Sequence, residues 1–343
     1  LSAVGTYTMT YSAVNDAPEN TITGATLSVN EDTDLAITGN SIADVDDTSM
    51  ASVAITASRG VFDLAQTTDL TFAANSGDGT DDTTMTFSGT VTKINLAIAT
   101  LTWTSASDDD ADATITIVTT DSSGASDTDS MSITVGSVND APTTSGGSTS
   151  GIAEDATHTF TTTPGDWGFA DVDSGDAMTS IDFTSLPATG TLMYSGNAVV
   201  AGDDIAIADL GGVTYVPVAN ANGAVTFTFK VYDGEALSAV GTYTMTYSAV
   251  NDAPICDAGS AQSVAEGASV SLDGTGSSDV ESATITYAWT VSAGTSQTLT
   301  GATSATPSFT AADKTASYTT TLSLVCTASG ADGVASTVII SVT

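Results

Sequence analysis

Eighteen residues occur twice in this chain, and that repetition limits what it can fold into. Leu1 to Pro18 read LSAVGTYTMTYSAVNDAP, and Leu237 to Pro254 read the same, letter for letter. A looser copy of the tail, SITVGSVNDAP, runs from Ser132 to Pro142. Each copy alternates like a strand and then runs into Val-Asn-Asp-Ala-Pro. Self-similarity of this kind marks a modular array. VNDAP is its joint, and the interval between the identical copies suits one two-domain period.

The charge narrows the class of partner. The 343 residues hold 41 acids against four bases, a formal net charge of −37. The bases are Arg59, Lys93, Lys230 and Lys314. No basic patch can form from so few, which excludes nucleic acid and anionic membrane as partners. Regular alternation and 41% hydrophobic content argue against disorder. A salt-rich environment is one reading of the acidic excess. The favoured one is binding of multivalent cations, which relieves carboxylate repulsion. The acids are nearly all Asp, with Glu only at Glu19, Glu31, Glu154, Glu235, Glu266 and Glu281. Asp suits turns, where it bonds its own backbone and can ligate metal. No stretch is apolar enough over its length to span a bilayer, so no membrane insertion is expected in this segment.

Alternation and turn signals divide the chain into an all-β tandem array of β-sandwiches. Residues 1–18 are the last strand of a preceding domain, or a strand inserted into a neighbouring molecule; Thr6, Thr8 and Thr10 alternate there with Tyr7, Met9 and Tyr11. Residues 19–142, 143–254 and 255–343 follow as three domains. One exception to strand is expected at 91–99, VTKINLAIA, as one or two helical turns.

Two resemblances stand on particular residues. From Ser185, SLPATGTLMYSGNAVVAGDDIAIADLGGVTYVPVANANGAVTFTFKVYDGE resembles the cadherin-like (tandem-95 type) repeats of large bacterial surface proteins and adhesins. TFSGTVTKINLAIATLTWT, from Thr86, resembles a second variety of the same repeats. In the last domain, AEGASVSLDGTGSSDVESATITYAWTV resembles a PKD-like immunoglobulin-type module. It departs from that pattern at Thr327-Ala328-Ser329-Gly330, where such modules often close with Val-x-Asp-Gly, and one acidic ligand is lost.

Ca²⁺ takes six to eight oxygens. No EF-hand spacing is present, so a joint must gather ligands from a linker and from loops at adjoining ends. The chain repeats a suitable pattern. After Asn15-Asp16 come Glu31-Asp32 and Asp44-x-Asp46. After Asn139-Asp140 come Glu154-Asp155 and Asp171-x-Asp173. After Asn251-Asp252 come Glu266, Asp273 and Asp279-x-Glu281. These resemble the linker, glutamate and Asp-x-Asp elements that bind Ca²⁺ between cadherin repeats. Asp121 and Asp233, before the last strands of the first two domains, are expected as ligands given by the preceding domain. Asx-turns and solvated acids explain any single one equally well; Asp203-Asp204 and Asp108 to Asp112 read as solvated turns.

Other candidates are weaker. His158, the single histidine, reads as a half-buried strand residue. Trp289 reads as sandwich core, and Trp167, after Pro-Gly-Asp, as the best exposed contact for a sugar. Cys256 and Cys326 form a disulfide or remain two buried thiols. No nucleophile–base pair emerges, so no enzyme is expected. The expected role is a structural or adhesive segment of a large extracellular, cell-surface protein, stiffened by Ca²⁺. Its expected partners are neighbouring repeats of the same protein. Alternatives are a subunit of a filament or surface layer joined to identical subunits, and a module that binds a cell-surface glycan or protein.

Overall fold

A computed structural model describes residues 1, 3–24 and 26–343. Val, Ile, Thr and aromatic residues at alternate positions bury one face of each strand, which is what a pleated, half-buried surface selects. The contacts group into two compact units.

The first unit comprises Leu1–Thr144, Phe169–Ser180 and Val231–Ala239. Its main sheet runs in the order Thr26–Asn30, Ser126–Gly136, Ala113–Thr120, Ser49–Ala57, Thr84–Thr90, Thr71–Phe72. A three-stranded sheet, Leu35–Ala36, Leu101–Thr104 and Val61–Leu64, shares one core with it through Ile55, Phe62, Phe87, Trp103, Ile115 and Met131. Thr26–Asn30 lies parallel to Ser126–Gly136, with Asn30 opposite Gly136. Glu19–Thr21 lies antiparallel to Ser41–Ala43.

The expected turns at 91–99 are an α-helix, Val91–Ile98. Thr90 caps it by accepting from the Lys93 amide, and Ile94, Ala97 and Ile98 are buried. Asn95 fixes the helix to Ile42, bonding both its N–H (2.8 Å) and its C=O (2.9 Å).

The second unit comprises Ser145–Gly168, Ile181–Lys230 and Val240–Thr343. One sheet has the order Gly147–Ala153, Gly241–Ser248, Gly223–Tyr232, Ser180–Phe183, Asp204–Ala206. Two of its strands, Ser180–Phe183 and Gly223–Tyr232, cross the unit boundary in sequence. Gly147–Ala153 lies parallel to Gly241–Ser248. Further along, Gln262–Val264, Ser336–Val342, Tyr318–Ala328 and Ile285–Gly294 form another sheet over Leu272, Trp289, Phe309, Leu322 and Ile340. Cys256 and Cys326 are joined by a disulfide, with their Cα atoms 5.6 Å apart.

Two expectations, on Trp167 and Asp108, are corrected. None of the described residues of 1–18 is in a sheet of this chain, and Tyr7, Met9 and Tyr11 stand exposed; the strand expected there takes its partner from another domain or molecule. Alternation needs a partner strand to become a sheet, and this stretch has none beside it among the described residues. Trp167 is not an exposed contact. It is fully buried against Phe160, Phe229 and Tyr243, and its Nε1 donates to the Thr161 carbonyl (3.1 Å). Asp108 is more than a solvated turn residue, because it belongs to a carboxylate group described below. His158 is half-buried in strand His158–Thr159, edge-on to Phe160, and burial pushes its pKa down. Among the described residues no helix is long and apolar enough to cross a membrane.

Candidate cation sites at the Asn-Asp linkers

Strand direction decides which acids meet at each linker. A residue just before one antiparallel strand lies beside the residue just after its partner. Asp16, before Glu19–Thr21, therefore meets the turn after Ser41–Ala43: its amide donates to Asp46 Oδ2 (2.8 Å). Thr143–Thr144 pairs with Phe169–Ala170 in the same sense, and the Asp140 amide donates to Asp173 Oδ2 (2.7 Å). A lone bridge between Ile255 and Ser278 repeats the arrangement, and the Asp252 amide reaches Glu281 Oε2 (3.2 Å).

The glutamates obey the opposite rule, and here the expected groupings are corrected. Thr26–Asn30 is parallel to Ser126–Gly136, so the residue after the first ends beside the residue after the second. Glu31 thus stands at the linker that follows it, accepting from the Val138 amide (2.8 Å), and not with Asn15-Asp16. Glu154 likewise accepts from Val250 (2.7 Å), placing it with Asn251-Asp252 and not with Asn139-Asp140. Glu266 follows Gln262–Val264, which is parallel to Ser336–Val342. It therefore does not join Asp252, and its Oε1 accepts from the Lys314 amide. Asp273 binds its own turn through Thr275.

Asp121 and Asp233 are displaced in the reverse sense. Each opens the turn of a β-hairpin, Asp121 before Ser126–Gly136 and Asp233 before Gly241–Ser248. That turn lies at the far end of the hairpin from the next linker, so the Asp serves the linker before its own strands. Asn15 donates to Asp121 Oδ2 (2.7 Å), and Asn139 to Asp233 Oδ2 (3.3 Å). All three asparagines also donate Nδ2 to the carbonyl of the Asp that follows (2.9, 2.9 and 3.1 Å), and for Asn251 that is the one side-chain bond found among the described residues. By burial and by its place at the hairpin turn, the residue matching Asp233 is Ala328, opposite Ala331.

Five groups of three carboxylates result, each with ligand oxygens within 4.8 Å of one another: Asp44, Asp47 and Asp121; Glu31, Asp140 and Asp173; Asp32, Asp108 and Asp140; Asp171, Asp173 and Asp176; Glu154, Asp252 and Glu281. Asp47, Asp108 and Asp176 complete groups that spacing alone did not assemble, and Asp32 joins a linker other than the one its spacing suggests. Asp32 and Asp108 both take left-handed backbone angles (φ 57° and 55°), which Asp tolerates in turns. No linear signal joins them, since they meet only through the fold.

Crowding is visible in proton affinity. Burial raises the Asp140 pKa, with further repulsion from Asp108, Asp173, Asp32 and Glu31. Asp252 is raised by burial and then by Glu281, Asp155 and Glu154. Asp176 is raised by burial, Asp173, Asp171 and Asp233. Asp121 moves the other way, held down first by the Asn15 amide and then by turn N–H groups. Burial alone would raise Asp233, but the amides of Ala236 and Glu235 and the Asn139 side chain hold it below the usual carboxylate range.

Four carboxylate oxygens in these loops are shielded from solvent and meet no hydrogen-bond donor among the described residues: Oδ2 of Asp44, Asp171, Asp252 and Asp279. The ion pairs found among the described residues are Arg59–Asp109 and Lys93–Asp69, and neither involves a grouped acid. A buried, unpaired carboxylate oxygen is costly. A bound hard cation would satisfy it with the geometry-tolerant oxygen coordination that Ca²⁺ accepts.

Residues 138–248 match the family model of the cadherin-like domain, and residues 258–342 match that of a PKD domain. No curated protein matches the chain. Among solved structures it is similar to mouse cadherin-23 EC22-24, at 12% identity over 96% of this chain and 99% of that one, with a TM-score of 0.49. Protocadherin gamma B7 extracellular cadherin domains 1–4 align at 13% identity over 96% of this chain and 76% of that one, also at 0.49. A nucleoside hydrolase-related hypothetical protein from Saccharophagus degradans aligns at 22% identity over 29% of this chain, with a TM-score of 0.26; the alignment spans 27% of that protein. By its family models, the chain contains a cadherin-like domain followed by a PKD domain.

Proposed function

We propose that this chain is a non-enzymatic, adhesive or structural segment of an extracellular repeat protein, with domains at 19–142, 143–254 and 255–343 and Ca²⁺ held at the Asn-Asp linkers. The observation that supports it is the set of buried, donorless carboxylate oxygens, those of Asp44, Asp171 and Asp252 lying in acid groups beside the linkers. At the central linker Glu31, Asp32, Asp108, Asn139, Asp140, Asp171, Asp173 and Asp176 would hold the metal, with Asp233 orienting Asn139. Glu154, Asn251, Asp252, Asp279 and Glu281 would hold it at the last. Asn15, Asp16, Asp44, Asp46, Asp47 and Asp121 form the half of a site that follows the first linker. Bound cations neutralise the repelling acids and fix each linker against the loops on either side. Neighbouring repeats are the primary partners.

Calorimetric titration of the metal-free chain with Ca²⁺ at neutral pH tests this. Binding at several sites is expected, reduced by Asp140→Asn. Neither heat of binding nor any rise in melting temperature with Ca²⁺ would overturn it.

A further inference from the structure

An asparagine followed by glycine can react with its own main chain, because no side chain keeps the next amide nitrogen from the asparagine Cγ. Asn222-Gly223 is the only Asn-Gly in the sequence. Asn222 is exposed and lies just before strand Gly223–Tyr232, outside the sheet. Gly223 has φ +101°, a conformation that favours glycine, and a side chain there would meet nothing within 4 Å. The surroundings of its nitrogen are open. The Asn222 side chain points to an acid group. Its Nδ2 donates to Glu154 Oε2 (3.3 Å), while Glu154 Oε1 accepts from the Val250 amide (2.7 Å). Glu154 is 5% exposed and groups with Asp252 and Glu281. In that group Asp252 Oδ2 is buried and meets no donor among the described residues. All these residues lie in the second unit.

We propose that Asn222 is a site of spontaneous deamidation, and that its aspartate product adds a carboxylate to the acid group of Glu154, Asp252 and Glu281. The Gly223 nitrogen attacks Cγ of Asn222. The N–Cγ bond forms, the Cγ–Nδ2 bond breaks, and ammonia leaves with the Gly223 amide proton. Water then opens the cyclic imide, giving its hydroxyl to a carbonyl carbon and its proton back to the Gly223 nitrogen. The net change consumes one water, releases one ammonia and turns the amide into a carboxylate. Opening at the main-chain carbonyl gives isoaspartate; opening at Cγ gives the aspartate that keeps Asn222's geometry. Glu154 Oε2 then loses an N–H donor and faces a like charge, which is costly at a buried group. With a cation present the same carboxylate is one more hard oxygen ligand, at the linker whose hairpin carries Ala328 instead of an acid. This last step rests on calcium being held at that linker; the deamidation itself does not.

The test ages the full chain without metal at mildly alkaline pH and follows its asparagines by peptide mass spectrometry. Asn222 is expected to convert faster than Asn220, which lies in the same loop but precedes alanine, by roughly tenfold or more. Conversion no faster than at Asn220 overturns the site. Asn222→Asp and Asn222→Gln then separate the charge from the amide. Without metal, Asn222→Asp is expected to melt below Asn222→Gln; an equal or higher melting temperature overturns the placement of the new charge beside Glu154. With Ca²⁺, Asn222→Asp is expected to bind roughly threefold to tenfold more tightly at the last linker than freshly prepared wild type. Unchanged or weaker binding there overturns the ligand role. Absence of Ca²⁺ binding by wild type and both variants would sink the calcium reading and the ligand role together, while the ageing and metal-free melting results still decide the deamidation site.

Discussion

The linkers at Asn139-Asp140 and Asn251-Asp252 share the sequence Val-Asn-Asp-Ala-Pro and differ in what surrounds them. Around the first, a preceding glutamate, a following Asp-x-Asp and a hairpin aspartate all converge, and Asn139 is held by Asp233. Around the second, the glutamate and the acidic pair are present, but the hairpin position is the buried Ala328. The second linker has a different restraint. Cys256, four residues past Asp252, is bonded to Cys326, two residues before Ala328 in the same strand. The chain entering the last sheet is therefore fixed covalently close to where the other sites place an acid. The difference teaches that one linker sequence can meet different neighbours: a hairpin Asp holds Asn139, and an alanine stands at the matching place near Asn251.

The largest expected effect separates the two restraints. Replacing both Cys256 and Cys326 by Ala opens a loop of 70 residues and should cost roughly 4 kcal/mol by loop entropy. Thermal unfolding should show that loss, while Ca²⁺ affinity at Asn139-Asp140 stays the same. A fall in affinity there would break the separation.

Next in size is Glu31→Gln. It removes one charge from the central group and should weaken Ca²⁺ there by roughly tenfold to a hundredfold, since charge count tunes such sites over decades. Glu154→Gln should act only at the last linker. If Glu31→Gln instead altered the site at Asn15-Asp16, the parallel-strand assignment would be wrong.

The choice of glutamate is also where the sequence misleads. Strands, turns and the helix at 91–99 follow from alternation and turn residues, which act locally. Acidic residues near the joints are equally legible. Their grouping is not, because Glu31 and Asp121 each lie beside a linker other than the one that spacing suggests. The parallel pairing of Thr26–Asn30 with Ser126–Gly136 joins residues about a hundred apart and leaves no periodic mark. Trp167 is hidden for a similar reason: Pro164-Gly165-Asp166 looks like an exposed loop, but the turn folds its ring inward among Phe160, Phe229 and Tyr243.

A smaller effect concerns pH. Asp140, Asp176 and Asp252 have raised folded pKa values, so the metal-free folded state binds protons that the unfolded state has released. Their contribution to stability is therefore greatest below the unfolded carboxylate range, about 3.9 for Asp, and falls as pH rises through the folded values. Ca²⁺ held as proposed would offset that loss. The rise in melting temperature on adding Ca²⁺ should be larger at pH 7 than at pH 4.5. An equal or smaller rise at pH 7 would count against repulsion among these acids. The smallest effect sharpens the comparison directly: Ala328→Asp should tighten Ca²⁺ at the last linker by roughly tenfold, towards the central one.

Small-angle scattering of the full chain, recorded with Ca²⁺ and again with a chelator, tests the central claim most directly. Metal at the linkers predicts a single well-defined scattering profile with Ca²⁺ and a looser, more variable one without it. Superimposable profiles would contradict it.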